Sequence, residues 1–167
     1  MPALEPGTAA PPFSLPDHQG EAHSLAECLS RGPFLLIFFK ISCPTCQYAL
    51  PFLERLYKRV AGAPVNIWAV SQDSLGRTDA FSREFGVEAL PKLFDPEQDG
   101  YAVSNSYEVT HVPTAFLIEP DGNITLTSVG WSKDDATTFG ERLGEAAGKQ
   151  VLPLFEPQED VLDFRPG

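Results

Sequence analysis

The sequence predicts an α/β sandwich with a mixed central sheet. Three observations carry this. Apolar runs of strand length, Phe34 to Lys40 and Val65 to Ser71, alternate with helical periodicity over Ala49 to Val60 and Gly76 to Phe85. A hairpin signal follows, Thr114 to Ile118 turned by Pro120-Asp121-Gly122 into Ile124 to Val129. The 167 residues, 43% of them hydrophobic, suffice for one well-buried core and are short for two. Residues 1–150 therefore read as a single domain and residues 151–167 as an acidic, proline-containing tail.

The elements are justified in order. Residues 1 to 12, rich in Pro, Ala and Gly, are a loose lead-in. Phe13-Ser14-Leu15 alternates in polarity, Asp17-His18-Gln19-Gly20 has turn chemistry, and Glu21 to Leu25 returns, which predicts a small N-terminal hairpin. Ser24 is placed to cap a short helix over Leu25 to Leu29, and Gly32-Pro33 punctuates before the strand Phe34 to Lys40. Ala49, Phe52, Leu53, Leu56, Tyr57 and Val60 then share a helical face that Gly62 and Pro64 end, with Pro51 inside it.

The apolar content of Val65 to Ser71 suits a place inside the sheet, parallel to the preceding strand across a right-handed crossover. A helix over Gly76 to Phe85, a short strand at Leu93 to Asp95 and a short helix over Ala102 to Glu108 precede the hairpin. The last helix, Lys133 to Gly148, turns Phe139, Leu143 and Ala147 to the sheet.

Charge excludes some functions. With 23 acidic against 12 basic residues the formal charge is −11, and no basic block offsets it, so neither nucleic acid nor an anionic membrane is an expected partner. The apolar run at Phe34 is far below the ~20 residues that cross a bilayer. No basic stretch followed by an apolar one opens the chain, so the expected location is cytoplasmic.

Chemistry concentrates at Cys43-Pro44-Thr45-Cys46, between the strand ending near Lys40 and the helix that follows. Unpaired backbone N–H groups and the dipole of a helix start favour a thiolate, which lowers a cysteine pKa from its usual ~8.5. Cys43 is thus the expected nucleophile and Cys46, one turn further in, the resolving thiol. Pro44 suits the first helical turn, where its missing N–H is not needed. Cys28 reads as a buried apolar residue, and Lys40 and Glu54 as solvated surface charges. His18 and His23 have no evident partners in the sequence. No phosphate loop, serine triad or paired catalytic carboxylates can be recognised, and no cofactor is expected.

The chain resembles the thioredoxin-like superfamily, in the branch of the AhpC/TSA proteins and the TlpA/ResA-type thiol–disulfide oxidoreductases. Three blocks carry the resemblance: Ala10 to Asp17 with Gly20 and Leu25; Leu36 to Phe39 leading into Cys43 to Cys46 with Pro51; and Val112-Pro113-Thr114 to Ile118 with Pro120-Asp121-Gly122. It implies a three-layer α/β/α sandwich and a cis Pro113 beside the cysteines. Val112, Pro113, Pro44 and Thr45 would bind substrate there. It further implies disulfide exchange with protein or small thiol substrates and with an external thiol reductant or oxidant. Departures matter as well. The buried Asp of thioredoxin falls at Ile37, and the Pro and Thr of the peroxiredoxin Pro-x-x-x-Thr-x-x-Cys loop fall at Phe39 and Cys43. Peroxide reduction is therefore the alternative activity. A second alternative, in the manner of copper-delivering relatives, is a soft metal site of Cys43, Cys46 and His111.

Overall fold

The computed structural model describes residues 2–63, 66–149 and 153–167. Strands β1 (Ser14–Pro16) and β2 (Ala22–Ser24) form the expected antiparallel hairpin, with Leu15 opposite His23. Asp17 makes the turn by accepting the N–H groups of Gln19 at 2.8 Å and Glu21 at 3.0 Å. Both N-terminal histidines have partners that spacing did not show. His23 Nε2 lies 2.8 Å from Asp17 with its ring against Trp68, and His18 lies 3.2 Å from Asp79. Ser24 caps helix α1 (Leu25–Leu29) by accepting the Glu27 N–H at 3.1 Å.

The central sheet contains β3 (Phe34–Phe39), β4 (Asn66–Ser71), β5 (Lys92–Phe94), β6 (Thr114–Ile118) and β7 (Ile124–Val129), in the order β5-β4-β3-β6-β7. It is mixed, because β4 runs parallel to β3 and β5 while β6 runs antiparallel to β3 and β7. Pro64 and Val65, expected to end the preceding helix and open β4, lie outside the described residues. β3 is 0% exposed along its whole length, and its side chains alternate between two cores. Leu35, Ile37 and Phe39 point to a core shared with helices α2 (Pro44–Val60), α3 (Leu75–Phe85) and α5 (Lys133–Ala146). Phe34, Leu36 and Phe38 point to a core closed by the hairpin, α1 and the segment after α4 (Ala102–Ser106). Each such side chain stabilises the fold by about 1.5–3 kcal/mol relative to exposure. Tyr107 fills the second core and donates its hydroxyl to the Pro11 carbonyl at 2.8 Å, tying down the lead-in.

Glu54 departs from expectation. It is only 4% exposed, and one carboxylate oxygen accepts the N–H groups of Ala89 at 2.7 Å and Leu90 at 3.0 Å. A charge on the inner side of α2 is tolerated because it satisfies the turn that feeds β5, while Lys58 lies 3.5 Å from the other oxygen. Glu54→Ala is expected to cost roughly 1–3 kcal/mol by leaving those donors unpaired. Urea unfolding checks this; an unchanged midpoint would remove Glu54's structural role.

Residues 153–167 dock. Leu154, Phe155 and Val161 are buried in the α2/α5 core, with Phe155 edge-on to Phe52 and Trp131. Arg55 forks onto Glu159 at 2.8 and 3.0 Å, and the Trp131 indole N–H donates to the Leu162 carbonyl at 2.7 Å. Strand β8 (Trp131–Ser132) then pairs antiparallel with β9 (Phe164–Arg165). The expected start of the tail, Val151, lies outside the described residues. No helix among the described residues is long and apolar enough to cross a membrane.

Candidate active site

The end of β3 aims the chain at the helix that carries both cysteines. Ile41 is fixed on either side: its N–H donates to Asp73 at 2.9 Å and its carbonyl accepts the Gln47 side-chain amide at 2.9 Å. Cys43 is the N-cap of α2. Its sulfur takes the place a capping oxygen usually holds and accepts the Cys46 N–H at 3.1 Å. Pro44 occupies the first turn at no cost, and the whole helix runs through Pro51 without a break.

This geometry separates the two thiols chemically. A hydrogen bond from the Cys46 thiol, with the N–H groups of Cys46 and Thr45 and the charge of Arg165, lowers the Cys43 pKa to about 6 against the opposing effect of burial. Cys46 is 0% exposed, and burial together with its bond to Cys43 pushes its thiol far up. Cys28, also buried, is raised to about 11, so it holds its proton and packs as an apolar group.

The second half of the site is the turn before β6. The Val112–Pro113 peptide bond is cis, and the protonated Cys43 sulfur donates to the Val112 carbonyl at 3.3 Å. Thr114 braces the turn by donating its hydroxyl to the His111 carbonyl at 2.7 Å, and Gly130 does so by donating its N–H to Pro113 at 2.7 Å. Thus Cys43, Cys46, Val112 and Pro113 are gathered, with Pro44 exposed at the rim. Thr45 faces elsewhere: it is 5% exposed and donates its hydroxyl to the Pro166 carbonyl at 2.7 Å.

His111 does not join the sulfurs. Among the described residues the group of metal-ligating side chains brought together is Asp17, Glu21 and His23 in the N-terminal turn, so the Cys43, Cys46, His111 convergence is not formed. The His111 ring instead bonds Thr110 Oγ1 at 2.9 Å on the exposed surface. A cavity of about 520 Å³ opens beside Cys43, with Lys40, Tyr101, Asn105 and His111 among its walls. Lys40 is half-buried, its ammonium 5.1 Å from the centre of the Tyr101 ring. Asp73, Tyr101, Asn105 and residues 165–167 carried no signal in the sequence, because their roles depend on turns from distant elements.

A mixed sheet with helices on both faces, a Cys-x-x-Cys pair at a helix start and a cis-proline turn beside it define a thioredoxin-fold protein with a thiol redox couple. The chain belongs to the AhpC/TSA family, whose model matches residues 6–127, and it is a thiol–disulfide oxidoreductase. It is 30% identical over 129 residues to the thiol-disulfide oxidoreductase ResA of Bacillus subtilis, covering 77% of this chain and 69% of that one. The ResA of Geobacillus kaustophilus is 31% identical over 136 residues, covering 80% and 75%. Among solved structures, a putative thiol:disulfide interchange protein DsbE from Chlorobium tepidum superposes with a TM-score of 0.71 at 25% identity, covering 87% of this chain and 99% of that one. A putative protein disulfide isomerase from Bacteroides thetaiotaomicron shares the fold, with a TM-score of 0.77 at 21% identity over 89% and 96% of the two chains.

Proposed function

We propose that Cys43 is the attacking thiolate and Cys46 the resolving thiol, with Pro44, Val112 and Pro113 shaping the surface on which a protein or small thiol substrate is met; Thr45, turned to Pro166, stands outside that surface. The observation that carries this is the pairing of a half-buried N-capping sulfur, Cys43, which accepts the Cys46 main-chain N–H at 3.1 Å, with a fully buried one, Cys46. The Cys43 thiolate attacks one sulfur of a substrate disulfide, forming a mixed disulfide and releasing the first substrate thiolate. Cys46 attacks Cys43 Sγ as its proton passes to the departing substrate sulfur, forming the Cys43–Cys46 disulfide and releasing the second substrate thiol. Two electrons pass to the substrate. An external dithiol restores the pair, and in a reducing cytoplasm the couple rests reduced and acts as a reductant.

Peroxide reduction is less well supported, because Cys43 stands where a peroxiredoxin places its peroxide-gripping Thr. The two readings separate in stopped flow. Reduced protein is expected to react with hydrogen peroxide no faster than an ordinary thiolate of the same pKa, and with a strained or activated disulfide at least about tenfold faster than that thiolate does. Rapid peroxide reaction with sluggish disulfide exchange would reverse the assignment.

A further inference from the structure

The main-chain edge at Val112 is already covered. Gly167 lies so close that a Cβ on it would sit 2.5 Å from the Val112 carbonyl oxygen, and one on Gly130 would sit 2.6 Å from the Arg165 carbonyl. Residues 165–167 therefore thread between Gly130, Thr45 and Val112, held by β9 and by the Thr45 bond to Pro166. An extended polypeptide that added itself along Val112 would need the same space.

Among the described residues, a cavity of about 520 Å³ nevertheless opens beside Cys43, with Lys40 and Tyr101 in its walls and Val112 and Gly167 along its edge. That volume suits a small ligand rather than a folded loop. Its side-chain charge is opposite to that of the whole molecule: the chain carries −11, yet no Asp or Glu side chain lines this cavity, and Lys40 does. Among the described residues Lys40 makes no ion pair; its ammonium rests on the Tyr101 face, where it is available to an anion. Asn105, exposed at the rim, has its amide engaged by the Gly100 carbonyl at 2.9 Å, which leaves Lys40 as the group that meets an anion.

Resting on the thiol-exchange reading above, we propose that this cavity delivers low-molecular-weight disulfides bearing carboxylates to Cys43. The segment Phe164–Gly167 bars extended polypeptide until it is displaced. The redox step is the two-electron exchange already described: the small disulfide is reduced to two thiols and the protein dithiol is oxidised to the Cys43–Cys46 bond. The carboxylate lies toward Lys40 while one substrate sulfur meets Cys43.

The test uses the reduced protein of residues 1–167 in single turnover at pH 8 with four probes: dithiodipropionate, bis(2-hydroxyethyl) disulfide, cystamine and insulin. Each rate is divided by that of mercaptoethanol with the same probe, which removes differences in leaving group. At low salt the small probes are expected to rank anionic, neutral, cationic over a span of about tenfold, the reverse of what the net charge alone would impose. Lys40→Gln is expected to lower the ratio of the dithiodipropionate rate to the neutral-probe rate about three- to tenfold. A chain ending at Leu162, which keeps the Leu154, Phe155, Val161 and Arg55–Glu159 anchors, is expected to reduce insulin at least about tenfold faster than the full chain. Cystamine as the fastest small probe, or a Lys40→Gln protein that keeps the anionic preference, would overturn the small-ligand half. Insulin reduced no faster, or more slowly, by the shortened chain would overturn the barrier. If none of the four probes oxidises the Cys43–Cys46 pair, it is the thiol-exchange reading itself that fails.

Discussion

Cys43→Ser is expected to reduce no disulfide above the uncatalysed rate, and Cys46→Ser to accumulate a stable covalent adduct with its substrate, visible as a mass increase that dithiothreitol reverses. The first protein lacks the attacking thiolate, whereas the second attacks but cannot resolve. The two sulfurs have different pH behaviour as well. Since the Cys43 pKa is depressed to about 6, its alkylation by iodoacetamide should be flat above neutrality and fall about tenfold per pH unit below that value. Protonation, not unfolding, is the cause of that fall. Cys46→Ala removes the principal donor to the thiolate, so the same profile should shift upward toward an ordinary cysteine. Turnover by Cys43→Ser at the wild-type rate would refute the assignment, and an unshifted profile in Cys46→Ala would place the stabilisation in the helix N–H groups alone.

Trp131→Ala carries the largest expected cost in stability, about 3–5 kcal/mol. The indole is 2% exposed, stacked on Phe52 with centroids 5.1 Å apart and bordered by Tyr48 and Phe155, and its N–H holds the Leu162 carbonyl. One side chain thus secures both the α2 face and residues 153–162. Urea unfolding should show the loss, and limited proteolysis should cut the variant near Pro157 well before the parent. Trp131→Phe keeps most of the packing without the donor, so it should cost about 1–3 kcal/mol less than the alanine. Equal losses in the two would mean that the hydrogen bond to Leu162, not the ring, holds the segment.

What could be read in the chain was local or periodic. β3 announced itself as six consecutive apolar residues because it is covered on both faces. Ser24 as a cap, Cys43 at a helix start and Pro113 opening β6 were legible because each depends on neighbours a few residues away. Glu54 was not legible, because the groups that justify its burial belong to Ala89 and Leu90, 35 and 36 positions on. The docking of residues 153–167 was hidden for a related reason. Leu154, Phe155 and Val161 have no common period and stand among prolines and carboxylates, and their receptor is assembled from α2 and the start of α5. A tail of that composition could dock or fray, and only the apolar face it fits decides between the two.

The seat of Gly167 against Val112 has a practical side. Whatever is joined after that residue, an affinity tag, a fluorescent protein or a spin label, leaves the fold at the mouth of the cavity beside Cys43. Reagents built on such fusions would report on their own attachment as much as on the enzyme, and Pro2 offers no remote alternative, because its carbonyl accepts the N–H of Thr110, another wall of that cavity, at 3.0 Å.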